Sequence, residues 1–113
     1  MHELSIAQSL LGIVLQEAGR HGANRVTKVA VKIGALASVV PSSLTFSFDL
    51  IKEGTPAADA VLEIERVPAM GICRACGARM DMSGLVEACP DCGSKEIELS
   101  SGQELYVDHI EAE

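Results

Sequence analysis

Four cysteines stand in two like brackets, Cys73-Arg-Ala-Cys76 and Cys89-Pro-Asp-Cys92, with twelve residues between the pairs. Two thiolates two residues apart can meet one metal ion from a tight turn. Two such turns supply four soft ligands in a tetrahedron, the donor set of a structural zinc site. No fifth cysteine is left over. Gly71, Gly77, Pro90 and Gly93 flank the pairs, where such turns need backbone freedom. Two disulfides are one alternative, but no signal peptide is expected, and the apolar content is expected to build a core without staples. A redox dithiol is another, but it would need one pair and not two at ribbon spacing. A closed four-thiolate site leaves no coordination position for an activated water. It explains folding, so function is sought elsewhere.

The second set of residues able to do chemistry is at the N-terminus. His2 follows the initiator methionine, and methionine removal normally needs a small second residue, so His2 is expected to stay second. A terminal amine, a backbone amide and the imidazole can then converge on one ion, with Glu3 adding a carboxylate. Nitrogen-rich, roughly planar sites suit Ni(II) or Cu(II) better than Zn(II) or Mg(II). The plainer alternative is a solvated histidine on a disordered end. Against it, Leu4 opens an apolar helical stripe at once, which would hold His2 and Glu3 at a helix N-terminus. The other histidines read as structural. His21 ends the first helix, where a cation suits the helix dipole, and His109 lies in a strand whose apolar face is Leu105 and Val107. Asp49 and Glu53 on the second helix read as a solvated face.

The elements that position these residues follow from periodicity. Leu4, Ala7, Leu11, Val14 and Ala18 recur at helical spacing over residues 4–20. Ile6, Leu10 and Ile13 widen the stripe, so the helix is expected to be buried around much of its circumference. Gly22 suits a position just past its end. Val26, Val29, Val31 and Ile33 read as a strand with a one-residue phase adjustment near Lys28, ended by Gly34. Pro41 suits the first turn of a second helix running through Leu44, Phe48 and Ile51 to Gly54. Residues 60–67 alternate as a strand that Pro68 closes, residues 70–95 carry the cysteines, and residues 104–110 read as a final strand. The expected class is α+β: a small three-stranded sheet with two helices on one face, plus an inserted four-cysteine zinc-ribbon lobe. The expected domains are a discontinuous α/β domain over 1–68 and 100–113, which carries the N-terminal metal-ligand candidates, and a zinc-binding insert over 69–99.

Composition narrows the function. The 113 residues suit one domain with a small insert, and 48% are apolar. Mean hydropathy is +0.25. Phe46, Phe48 and Tyr106 are the only aromatic residues. Nine basic residues are scattered among sixteen acidic ones, for a formal charge of −7. Nucleic-acid binding needs clustered Lys and Arg, so it is not expected. No apolar run approaches a bilayer span. Reduced cysteines and an N-terminus without a basic n-region give the expectation of a cytoplasmic protein. No open metal site with a nearby base, phosphate-cradling loop or Ser/His/Asp set is evident, so an enzyme is not expected.

These residues, taken in order, resemble the HypA/HybF family of hydrogenase maturation factors. The resemblance is carried by the opening ten residues, by Val29-Ala-Val-Lys-Ile-Gly34, Phe46-Ser-Phe-Asp-Leu50 and Leu62-Glu-Ile-Glu65, by both CxxC pairs, and by Gly102-Gln-Glu-Leu105. It covers essentially the whole chain. It implies a nickel metallochaperone that delivers Ni(II) to the [NiFe]-hydrogenase large subunit, working with the GTPase HypB, and in some organisms serving urease. It implies nickel on His2, Glu3 and backbone nitrogens, and structural zinc on Cys73, Cys76, Cys89 and Cys92 in a separate lobe. The expected state is a monomer or weak dimer. One departure stands out. Family members often carry a carboxylate just before the second helix, and here residues 35–41 hold no acid, with Val40 where one would be expected. The competing function is a zinc-ribbon interaction or regulatory module without nickel transfer. It would predict a basic, aromatic-bearing ribbon, whereas residues 70–95 balance Arg74, Arg79 and Lys95 against Asp81, Glu87 and Asp91 and carry no aromatic ring.

Overall fold

The computed structural model describes residues 2–84 and 86–113. In chain order its elements are α1 (Glu3–Arg20), β1 (Val26–Gly34), α2 (Pro41–Ile51), β2 (Val61–Val67), β3 (Met70–Cys73), β4 (Arg79–Asp81), β5 (Ile97–Ser101) and β6 (Leu105–Ala112). The fold is α+β, with one three-stranded sheet in the order β2-β1-β6 and a second in the order β4-β3-β5. The chain divides into two compact units. One comprises Met1–Lys32, Val39–Glu65 and Leu105–Glu113; the other comprises Ile33–Ser38 and Arg66–Glu104.

In the first unit α1 and α2 pack together and α1 also meets β6. Apolar spacing on β1 buries Val26, Val29 and Val31 fully, with the three-residue step across Lys28 that the phase adjustment predicts. Leu44 and Phe48, four apart on α2, are fully buried as well, and Pro41 occupies the first turn. The solvent face of β1 is polar. Lys28 reaches Glu63 on β2 and Glu111 on β6, each at 3.4 Å, and Lys32 reaches Glu65 at 3.5 Å. Arg25 pairs with Asp59 and with Glu113, and Glu113 also exchanges backbone hydrogen bonds with Asn24 and Arg25, which fastens the C-terminus.

Helix α1 departs from its expected burial. Its buried face is Glu3, Ala7, Leu10, Leu11, Val14 and Ala18. Leu4 and Ile13 are instead 48% and 52% exposed. The buried residues form one stripe at steps of three and four, which a helix packed on one side needs. The stripe extended backwards from Ala7 lands on residue 3, so Glu3 and not Leu4 begins it. The last strand differs too: Val107 and Ile110 are half-buried while Leu105 is exposed, because burial there steps by three and not by two.

In the second unit the strands β3, β4 and β5 were not anticipated, and the cysteine segment is more ordered than turns alone. β3 pairs antiparallel with β4 and with β5, with an irregularity between Met70 and Gly71. Gly71 sits mid-strand because a Cβ there would come within 2.9 Å of the Met82 side chain and 3.0 Å of Ile97. The unit extends beyond the cysteine segment. Residues 33–38 belong to it through backbone hydrogen bonds from Gly34 to Glu104, Ala35 to Val67 and Leu36 to Gly102.

Candidate metal centre

Cys73 ends β3, and the chain turns at once. The Cys73 carbonyl accepts the Gly77 amide at 2.8 Å, and the Cys73 amide donates to Ala78 at 2.9 Å. The second bracket repeats this form. The Cys89 carbonyl accepts the Gly93 amide at 2.8 Å, and the Cys89 amide donates to Ser94 at 2.7 Å. Gly77 and Gly93 take φ values of 80° and 78°, which side chains avoid, so both turns close through a glycine. Two turns of one shape thus present two thiols each.

The four Sγ atoms lie within 4.8 Å of one another. Cys73 Sγ is 3.5 Å from Cys92 Sγ, and Cys76 Sγ is 3.7 Å from Cys89 Sγ. A tetrahedron with metal–sulfur bonds of about 2.3 Å has edges of about 3.8 Å, so the cluster already has the size of a zinc site. All four cysteines are free thiols. The first cysteine of each bracket is buried and the second exposed. Cys73 and Cys89 pack with Met80 in a small core flanked by Ala78, Met82, Val86 and Ile97.

Crowding sets the proton affinities. The backbone N–H of Cys76 stabilises the Cys73 thiolate and draws its pKa down to about 6. At Cys76 the Ala78 amide pulls downward, but the surrounding sulfurs of Cys92, Cys73 and Cys89 prevail and push it up to about 12. Cys92 is raised as well, the Ser94 amide being outweighed by Cys73 and Cys89. Four thiols in this space cannot all ionise alone. A dication at the centre supplies the missing charge, so the donor set fits a divalent, thiophilic ion. Cys73, Cys76, Cys89 and Cys92 would hold it, and all four positions of a tetrahedral ion would be filled.

The N-terminal residues are arranged differently. His2 caps α1 from outside, its carbonyl accepting the Ile6 amide at 2.9 Å and the Ser5 hydroxyl at 3.3 Å. Its side chain makes no capping bond and is exposed. Glu3, expected beside it on an exposed site, is only 6% exposed and faces inward. The Met1 amine lies outside the described residues. Among the described residues the cysteines form the one group of three or more metal-ligating side chains gathered in one place. Val40, where an acid was looked for, caps α2 from an extended conformation with no side-chain hydrogen bond. His21 does cap the end of α1, and His109 is exposed on β6. No helix among the described residues is long and apolar enough to cross a membrane.

A small α+β fold carrying a four-thiolate cluster defines a metal-binding protein. Comparison with known proteins makes this specific. The family model for HypA, hydrogenase/urease nickel incorporation metallochaperone, matches residues 1–112. The hydrogenase maturation factor HypA of Acidithiobacillus ferrooxidans is 40% identical over 113 residues, covering all of both chains. That of Geotalea uraniireducens is 42% identical over the same length. The solution structure of the Ni metallochaperone HypA from Helicobacter pylori superposes with a TM-score of 0.71 at 25% identity, covering 99% of this chain and 97% of that one. A second HypA solution structure gives 0.78 at 25% identity, covering 100% and 97%. The chain belongs to the HypA family of hydrogenase maturation factors, the nickel-incorporation metallochaperones.

Proposed function

We propose that this chain binds Ni(II) at its N-terminus through His2 and Glu3 with neighbouring backbone nitrogens, and delivers it during maturation of a [NiFe]-hydrogenase. The observation that carries the reading is the state of His2. Its imidazole is exposed and makes no capping bond, while its carbonyl is locked into the first turn of α1. The ligand is held in place without being used by the fold. The first backbone amides of a helix have no intrahelical partner, so nitrogen donors stand next to the ring. Glu3 begins the buried stripe one residue on and is 6% exposed, so its carboxylate would turn outward to join His2 on the ion. Separate exposed and buried donors suit a cargo site that must both hold an ion and open to release it.

Zinc on Cys73, Cys76, Cys89 and Cys92 completes the proposal as a structural ion in the second unit. Its closed donor set suits a structural role and leaves no position at that ion for an activated water. The partners implied are a HypB-type GTPase and the hydrogenase large subunit. Leu4 on α1, and Phe46 and Leu50 on α2, at 66% and 59% exposure, give the helical unit an apolar surface for such docking. The charge of −7 favours partner surfaces with basic character and a salt-sensitive association rate.

The test is calorimetric nickel titration of the untagged, zinc-loaded chain and of His2→Ala. The tight nickel event should vanish in the variant, with zinc content and circular dichroism unchanged. Equal affinity and stoichiometry in both proteins would overturn the assignment.

A further inference from the structure

Two of the chain's three histidines border one groove in the first unit, remote along α1 from His2. The groove holds about 430 Å³ and is walled by Val14, Val107 and Ile110, with Glu17, His21, Asp108 and His109 around it. On the helix side, His21 Nε2 lies 3.0 Å from Glu17 Oε1, one turn back. On the strand side, His109 Nδ1 lies 2.8 Å from Asp108 Oδ2. Each ring therefore has one nitrogen engaged by a carboxylate. The other nitrogen, Nδ1 of His21 and Nε2 of His109, has no hydrogen-bond partner among the described residues. A carboxylate on one ring nitrogen fixes the tautomer and the orientation of the ring, which is how metal-binding histidines are commonly prepared.

We propose that this groove binds one divalent transition-metal ion, of the Ni(II), Cu(II) or Zn(II) class, through His21 Nδ1 and His109 Nε2, with Glu17 and Asp108 as outer partners. The type of ion follows from the donors, since imidazole selects borderline cations over Mg(II) or Ca(II). Glu17 and Asp108 act on the rings and not on the ion. Two cations border the groove: Arg20 Nη1 lies 3.2 Å from Glu17 Oε2, and Lys32 faces Asp108. Each is held by a carboxylate, Arg20 by Glu17 and Lys32 by Glu65 at 3.5 Å, which limits its repulsion. Two imidazoles with water completing the sphere make a weaker site than four thiolates, suited to transient occupancy. α1 spans 18 residues, about 27 Å at 1.5 Å per residue, so this site and His2 stand at opposite ends of one helix.

The experiment uses the zinc-loaded, full-length chain in a His2→Ala background, so that it is independent of the N-terminal site. Nickel chloride is added at neutral pH and amide signals are followed by two-dimensional NMR. Paramagnetic broadening should centre on residues 13–21 and 107–110. His21→Ala and His109→Ala should each abolish it. Glu17→Gln and Asp108→Asn should weaken binding about 10–100-fold while leaving both histidines in place. His21, Asp108 and His109 are exposed, Glu17 is half-buried, and none belongs to the buried core, so these variants keep the fold. Signals unmoved by millimolar nickel, or a titration unaltered by both histidine replacements, would overturn the proposal.

Discussion

Replacing Gly34 by alanine should destabilise the chain far more than its size suggests. Gly34 is buried at the end of β1. A Cβ there would lie 2.1 Å from both the carbonyl carbon and oxygen of Gly102, and 2.5 Å from the Gln103 nitrogen. Ordinary carbon contacts are about 3.5–4.0 Å, so the two backbones must part by more than an ångström. No flexible side chain can yield, because every atom in the way is backbone. Gly102 cannot simply retreat: a Cβ of its own would meet Ala69 Cα at 2.8 Å. Parting the strands stretches the Gly34-to-Glu104 and Leu36-to-Gly102 hydrogen bonds, both 2.7 Å. Overpacking costs about 1–3 kcal/mol, and two lost hydrogen bonds about 0.5–1.5 kcal/mol each. The sum, about 2–6 kcal/mol, is a large part of the 5–15 kcal/mol typical of a domain, so the variant should be marginal at best. Urea unfolding of zinc-loaded wild type and Gly34→Ala measures it, with the slope checked for constancy. A midpoint shift worth only a few tenths of a kcal/mol would refute the claim that this contact is rigid.

Three further outcomes are expected. Cys89→Ala removes a buried thiolate from the middle of the small core around Met80, so it should abolish stoichiometric zinc and melt the strands of the second unit, seen as loss of amide dispersion for residues 69–101; retained zinc at one ion per chain would contradict this. Zinc binding should release protons at pH 7, because Cys76 is pushed up to about 12 and must ionise, so affinity should fall as pH is lowered; calorimetry in buffers of different ionisation enthalpy reads the release, and buffer-independent heats would count against it. Val40→Asp should stabilise the chain by about 0.5–2 kcal/mol, since a carboxylate at this position can accept an orphan amide of α2 where valine cannot; an unchanged or lowered melting temperature would show the capping geometry is not reachable.

Much of this architecture is legible in the residues, for reasons that also explain the gaps. Val26, Val29, Val31 and Ile33 mark β1 because no other face competes for them. Pro41 marks the start of α2 because its missing amide costs nothing there. The cysteine brackets are legible because metal geometry restricts them more tightly than packing does. The strands β3 and β5 are not, since Gly71 interrupts one and both are short. What justifies that glycine is Met82, eleven residues away in sequence and visible only in three dimensions. Leu4 and Ile13 mislead because α1 carries apolar residues beyond the width of its contact, and which flank is covered depends on the packing of α2 and β6. Glu3 was legible as a possible ligand from its position beside His2, but not as a buried side chain. Helical steps back from Ala7 reach it, yet an apolar-only stripe skips a carboxylate.

The charge pattern on the first sheet bears on how copies of this chain behave when concentrated. Its two lysines both lie on the central strand, and the flanking strands β2 and β6 carry Glu63, Glu65, Asp108 and Glu111 against Arg66 and His109, so acids outnumber bases on both borders. Those flanking strands are the ones with free borders in the order β2-β1-β6. Two molecules approaching border to border would set carboxylates against carboxylates, while the lysines that could relieve them are already engaged one strand further in. The sheet therefore resists being extended by a neighbour into a longer ribbon. That protection is electrostatic, so it weakens with added salt and with acidification, and self-association should rise under both conditions.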